Sequence, residues 1–491
     1  MIRIINKKLQ AVLVVCREIS LKVKLSNNLL VAVLQAMLAV CRGIKMKLDI
    51  VGLVGACSYA LDCIEAELVH VTNRHGKRVA YISVCMAEKL GIEGKALQDL
   101  AICAMLHDNA LTQYISEEIQ ENNISHSQLE NIKKNENTAN ENDGMFNESE
   151  DIINENGMAY NPEIIKSIAG SIHKKIGLHC TYGEQNIKKL PFYTDISGAI
   201  LYHHENADGT GIFGKKWDEI PLFARIIHLC DMVDVMGNSC NFSDESWLRA
   251  KEYVGKNRDI LFDGDCADAF ISVFSEENFL SMSKDKFEKE LWKKIPRDKR
   301  DCDFKTCMDI ADFFAGIVDY KSEFTGNHSL GVAEKAAKLA EFMGYPQADI
   351  EKFYMAGALH DIGKMAIGNE ILEKPGRLTD EEFSRMKNHA GYTYMILSEV
   401  EDFDEVRDWA ALHHEKLDGT GYPFGKTAQE LSEPERIMAC VDIYQALTES
   451  RPYKDGMPHD KACSILDDMA QKGWIDVSVT DNIRKCFGMP Q

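Results

Sequence analysis

At 491 residues the chain is longer than one hydrophobic core ordinarily organises, so two or more domains are expected. Its 45% hydrophobic and 27% charged residues are the composition of a soluble globular protein. A formal net charge of -21 excludes a general nucleic-acid-binding surface, because phosphate backbones are held by clustered Lys and Arg; an anionic ligand must be met by a local positive site.

Residues 1–45 are basic, with Glu18 the only acid, and their best apolar stretch is Leu29 to Cys41. That stretch is too short for a membrane span, which needs roughly 20 residues. The early charges and the missing small-residue cleavage site argue against a signal peptide. The segment reads as an amphipathic extension, or as lying upstream of the true start, since Met46 opens a helical pattern. Residues 46–285 then form a first domain, interrupted at about 112–160 by an Asn- and Glu-rich stretch too polar to fold alone and expected to be disordered. A charged connector over 286–303 leads to a second domain, 304–491.

"HSLGVAEKAAKLAEFMG" places Val332, Ala336, Leu339 and Phe342 at helical spacing and ends on Gly344, a C′ glycine. In "EPERIMACVDIYQALTES", Pro434 stands near a helix start and Ile437, Cys440, Val441 and Tyr444 share a face. Alternating β-branched runs are scarce, so the expected fold is all-α, two tandem helical bundles. Fifteen cysteines without a Cys-x-x-Cys pair read as reduced thiols of a cytoplasmic protein, not as a disulfide framework or a zinc ribbon.

The chain repeats itself, and the repeat carries more information than any single motif. "LHDIGK" has an earlier partner in "LHDNAL", setting His107 and Asp108 against His360 and Asp361; the same offset pairs His75 with His328. "YHHENADGTGIFG" matches "LHHEKLDGTGYPFG", pairing His203 and His204 with His413 and His414, while His179 pairs with His389. After a one-residue deletion, Arg225 and Asp231 align with Arg436 and Asp442. The polar insertion of the first copy accounts for the change of offset between these two blocks. Ten of the fifteen histidines fall into two matching sets of five, which chance alignment does not produce.

Five imidazoles and two carboxylates per copy, with no thiolate among them, exceed a tetrahedral structural zinc and suit two metal ions. Imidazole with carboxylate accommodates iron, manganese, nickel, cobalt or zinc. Asp361 is the candidate bridge, since two carboxylate oxygens can reach ions about 3.5–4 Å apart with a water or hydroxide between them. His413 and His414 would diverge by about 100° on a continuous helix, but "DGTGYP" breaks the helix after them, and a site at a helix end could accept both. Such ions supply hydroxide at neutral pH and screen a phosphodiester during in-line attack. Lys364, one turn beyond His360, is expected at a non-bridging phosphate oxygen, and Arg436 from the next helix likewise.

In order, "HS" at 328, "HDIGK" at 360, "KPGRLTDEEFSRMKNH" ending at His389, "HHEKLDGTGYP" at 413 and "ERIMACVDIYQALTESRPY" through Asp442 resemble the HD-GYP subgroup of the HD superfamily, over residues 304 to about 485. The resemblance implies a helical, metal-dependent phosphohydrolase that opens a cyclic dinucleotide, chiefly cyclic di-GMP, to pGpG or GMP. Cyclic GMP-AMP, a nucleoside monophosphate, or a non-catalytic nucleotide sensor are the alternatives. It implies two divalent ions, iron or manganese foremost: one held by His328, His360, Asp361 and Asp442, the other by Asp361, His389, His413 and His414. Asp361 and Lys364 would be catalytic, with Gly421, Tyr422 and Pro423 at the substrate. Diguanylate cyclases are implied partners through that tripeptide, and Glu323 is a candidate for a third ion. The first copy keeps His75, His107, Asp108, His179, His203, His204 and Asp231. It has Leu111 at the lysine position and Gly211-Ile212-Phe213 at the tripeptide, so it is expected to bind metal but to turn over slowly or not at all.

Overall fold

The computed structural model describes residues 45–69, 74–110, 177–238, 241–284, 286–321, 328–372, 374, 376–450 and 455–488. The basic N-terminal segment up to residue 44, the polar insertion, Leu111 and Glu323 lie outside these. Among the described residues the structure is helical apart from one two-stranded sheet. None of the described helices is long and apolar enough to cross a membrane. The described cysteines are free and mostly buried.

The chain forms two compact units, one chiefly Val54–Arg297, the other Asp298–Asp319 and Phe324–Gln491 with the chain up to Leu53. Met46 does not open a helix as its pattern suggested. It starts β1 (Met46–Leu48), antiparallel to β2 (Arg300–Cys302) with Met46 opposite Cys302. Helix α1 (Ile50–Val69) follows, and Asp49 Oδ1 takes the Gly52 N–H at 2.8 Å, as an N-capping carboxylate does.

In the first unit come α2 (His75–Ala87), α3 (Gly94–Met105), a helix over 177–187, α4 (Leu222–Asn238), α5 (Asp244–Lys256), α6 (Gly264–Val273), α7 (Glu276–Ser281) and α8 (Lys286–Lys294). The stretch read as a connector is partly this last helix. Its Phe287 and Leu291 are buried and Glu288 pairs with Arg74 at 3.0 Å, because the apolar residues of "KFEKELWKK" fall four apart on one face.

The second unit has α9 (Phe304–Lys321), α10 (His328–Phe342), α11 (Gln347–Leu359), α12 (Asn369–Leu372), α13 (Asp380–Ser398), α14 (Asp404–Ala411), α15 (Glu433–Thr448), α16 (His459–Gln471) and α17 (Val477–Phe487). Gly344 follows α10 at φ 82°, as a C′ glycine should, although Phe342 at the helix end is 40% exposed. Helix α13 opens with a capping box: the Thr379 N–H donates to Glu382 Oε2 at 2.7 Å and the Glu382 N–H to Thr379 Oγ1 at 3.3 Å.

Two glycines bring the helices close enough to build a site. A Cβ on Gly357 would sit 2.6 Å from the Ala333 backbone, so α10 and α11 approach closely. A Cβ on Gly363, in the 3-10 turn Ile362–Ala366, would sit 2.0 Å from the His389 carbonyl, so that turn lies directly on α13.

Candidate metal centre

The segment carrying His360 and Asp361 is where helix α11 stops: His360 is its C-cap and Asp361 begins the 3-10 turn. His328 opens α10, Asp442 lies on α15, and His389 lies on α13. His413 and His414 stand just beyond the end of α14 at Ala411, with ring centroids 4.1 Å apart, so the helix end does accept both.

These ligands converge on Asp361. Its Oδ2 lies 3.0 Å from His360 Nε2, while its Oδ1 faces the other way, 3.4 Å from His389 Nε2 and 4.0 Å from His413 Nε2. Asp442 Oδ1 is 3.0 Å from His328 Nε2 and 3.7 Å from His360 Nε2. Two ligand groups result, His328–His360–Asp361 and His389–His413–His414, each tight enough to hold an ion. Lys364 Nζ is 2.5 Å from Asp361 Oδ2.

The rings are oriented for ligation. His360, His389 and His413 each donate Nδ1–H to the carbonyl three residues back, of Gly357, Met386 and Ala410, at 2.8, 2.7 and 2.6 Å. That leaves the Nε2 lone pairs turned inward, as metal-binding histidines require. His328 turns its Nδ1 to Glu449 Oε2 at 3.1 Å. His360 Nε2 and Asp361 Oδ1 are buried and make no hydrogen bond within the described residues. Orphaned acceptors of this kind are costly in a bare protein, and cations held on the two sides of Asp361 would satisfy them.

Charge follows the same logic. Burial pushes His414 down to about 3 and holds His389 and His413 below the ordinary range, which keeps them neutral. Burial also opposes the charge on His328, but the Asp442 and Glu449 carboxylates outweigh it and raise that group to about 10. Asp361 stays ionised despite burial, through His360 and Lys364.

The first unit repeats the arrangement. Asp108 Oδ1 lies 3.1 Å from His179 Nε2 and 3.7 Å from His203 Nε2, and its Oδ2 lies 3.6 Å from His107 Nε2. His75 Nε2 is 3.3 Å from Asp231 Oδ1, and His204 packs on His203 with ring centroids 4.0 Å apart.

Gly421, Tyr422 and Pro423 stand beside the cluster. A Cβ on Gly421 would come 2.3 Å from the Lys416 nitrogen, and the Tyr422 ring lies 4.7 Å from that of His414. Arg436, expected at phosphate, has its donors engaged elsewhere. Nη1 donates to Asp476 at 3.0 Å, Nε to the Leu431 carbonyl at 3.1 Å, and Nη2 to the Ala428 carbonyl. Arg225 makes the same pair with Asp263 at 2.9 Å, so this arginine ties helices together in both units and is reassigned from phosphate binding to structure.

Three carboxylates escaped the sequence reading. Glu449 orients His328; Asp234, itself paired with Arg78 at 2.7 Å, orients His75 at 2.8 Å. Glu415 accepts the N–H groups of Phe424, Gly425 and Lys426 at 2.7, 3.1 and 3.0 Å and shapes the loop after His414. Its counterpart Glu205 follows the other His-His pair, a signal present in the repeat.

The family described as HD domain matches residues 171–238 and 312–479. The 3'3'-cGAMP-specific phosphodiesterase 1 of Vibrio cholerae is 29% identical over 351 residues, 68% of this chain and 79% of that protein. A cyclic di-GMP phosphodiesterase of Pseudomonas aeruginosa is 41% identical over 135 residues, 27% of this chain and 33% of its own. The crystal structure of the cyclic GMP-AMP specific phosphodiesterase V-cGAP3 of V. cholerae matches with a TM-score of 0.58 at 23% identity, covering 91% of this chain and 99% of that one, a likeness of fold.

Proposed function

We propose that the chain, which matches the HD domain family over residues 171–238 and 312–479, is a metal-dependent phosphodiesterase of that family that opens a cyclic dinucleotide, with the chemistry in its second unit. The observation that carries this reading is Asp361, whose two oxygens face two separate imidazole groups while Lys364 stands on the same carboxylate. Two divalent ions, iron or manganese, would be held by His328, His360, Asp361 and Asp442 and by Asp361, His389, His413 and His414. When bound they supply a nucleophile at neutral pH and neutralise charge on the phosphodiester. The chain's own part is to keep His389, His413 and His414 neutral, to aim His360, His389 and His413 by their Nδ1 tethers, and to offer Lys364 to a non-bridging oxygen of the reacting phosphate.

The match that runs through most of the chain is to a 3'3'-cGAMP-specific enzyme, which favours cyclic GMP-AMP as substrate. Cyclic di-GMP, opened to pGpG or GMP, is the second reading, favoured by the higher identity over a shorter segment to a cyclic di-GMP enzyme. The first unit keeps the ligand set without the lysine or the tyrosine, so it holds metal and reports nucleotide without turnover. A cytoplasmic site of action and a diguanylate cyclase-type partner at Gly421–Pro423 belong to the same proposal.

The test is incubation of the full chain with manganese or ferrous iron and each cyclic dinucleotide. A linear dinucleotide as product supports the proposal. Tight binding with no product from either compound makes the protein a sensor instead.

A further inference from the structure

A chain of net charge -21 that takes an anionic ligand needs a local cation at the mouth of its site. Lys387 is such a group. It lies on α13 two residues before His389, half-buried, and among the described residues no carboxylate lies within ion-pair distance of it. Instead its Nζ stands 4.9 Å from the centre of the Phe383 ring, one turn earlier on the same helix, and 5.8 Å from that of Tyr422. Tyr422 in turn lies over His414 at 4.7 Å with 36° between the planes, and meets His389 edge-on at 6.3 Å. A continuous ladder therefore runs from the ligand imidazoles through Tyr422 and Lys387 to Phe383, a residue 47% exposed.

The first unit shows the ladder removed. The position of Lys387 is Gly177 and that of Tyr422 is Ile212. A Cβ on Gly177 would already lie 3.2 Å from Ile212 Cγ2, so the isoleucine closes the space that the lysine and tyrosine hold open in the second unit. The ligand histidines are kept in both units. The difference thus falls on what lies beside the metal site.

We propose that Phe383, Lys387 and Tyr422 form the nucleotide platform of the second unit, with a purine base stacked on the exposed Phe383 ring and the Lys387 ammonium on the phosphate that is not being cleaved. Stacking on an aromatic ring and a charge-assisted bond to phosphate are both sequence-tolerant sources of affinity, and neither requires contact with the reacting atoms. Lys387 and Phe383 are substrate-binding residues in this account, apart from the reacting atoms. The platform rests on the proposed cyclic dinucleotide activity for its ligand, and on the internal comparison for its location.

The experiment uses the full chain loaded with manganese, 3'3'-cGAMP and cyclic di-GMP as probes, and the variants Lys387→Ala, Lys387→Arg and Phe383→Ala. Turnover and calorimetric binding are both measured, with metal content determined for each protein. For whichever nucleotide is hydrolysed, Lys387→Ala raises KM about tenfold or more with kcat within about threefold and metal unchanged, Phe383→Ala does the same more weakly, and Lys387→Arg recovers most of the affinity. An unchanged KM in Lys387→Ala, or a joint loss of kcat and metal, overturns the platform while leaving the hydrolase standing. If the wild type cleaves neither compound but binds one, and Lys387→Ala weakens that binding tenfold, the hydrolase fails and the platform stands. If the metal-loaded wild type binds neither, the platform fails too.

Discussion

Four of the five ligand histidines of the second unit are fixed from behind, and the means of fixing separates what is general from what is particular to one copy. His360, His389 and His413 use the backbone carbonyl three residues earlier, whereas His328 depends on the carboxylate of Glu449. Replacing Glu449 by Gln is therefore expected to lower metal affinity roughly 10–100-fold, the usual cost of losing an orienting partner, in a chelator competition read at unchanged helicity. Lys364→Ala should leave metal content intact. It removes a charge-assisted bond of about 1.5–3 kcal/mol, which lowers kcat/KM by roughly 10–150-fold. The ligands were legible because the same residue types recur at fixed offsets in both copies. Glu449 was not, because the first copy does this work from Asp234, whose aligned position in the second copy is Gln445. Arg436 was misread for the opposite reason: its recurrence as Arg225 signalled importance, and only the partners Asp476 and Asp263 show that the task is structural.

At the scale of helices and turns, small residues decide how closely the elements meet. Gly363 lies on α13, where its N–H donates to Thr393 Oγ1 at 3.0 Å; in the first unit the aligned pair is Ala110 and Gly183, the small residue having moved to the other partner. Gly363→Ala should destabilise the second unit by about 1–3 kcal/mol through overpacking against the backbone of His389 and Thr393, read as a lower midpoint in a denaturant titration. Helix α11 carries a second consequence. Glu351 is buried, its Oε2 has no hydrogen-bond partner among the described residues, and burial pushes its carboxyl up to about 7 from an ordinary 4.5. Between those values the folded chain holds a proton that the unfolded chain has released. Stability from this group is thus highest below the ordinary value and falls as pH rises through the window up to about 7. Thermal midpoints measured from pH 4.5 to 8 should fall less steeply in Glu351→Gln than in the wild type. Sequence periodicity located the helices α10 and α15, since apolar spacing is a local property. It misjudged Met46 and residues 286–294, where β1 finds its partner in β2 far along the chain and α8 is defined by what it covers.

Across the whole chain, duplication supplies two ligand sets and divergence has fallen on their surroundings. Asp108 and Asp361 each stand between two imidazole groups, so both units carry a cluster that could hold metal. Beside the second set stand Lys364, Lys387 and Tyr422, while Gly177 and Ile212 occupy two of those positions in the first. The central claim is that hydrolysis belongs to the second set. Its most direct test is the turnover of 3'3'-cGAMP and cyclic di-GMP by full-length Asp361→Asn and Asp108→Asn proteins, each assayed beside the wild type with metal content determined in parallel. The account predicts that Asp361→Asn abolishes product formation while Asp108→Asn retains at least half of the wild-type kcat. Product surviving in Asp361→Asn and vanishing in Asp108→Asn would contradict it.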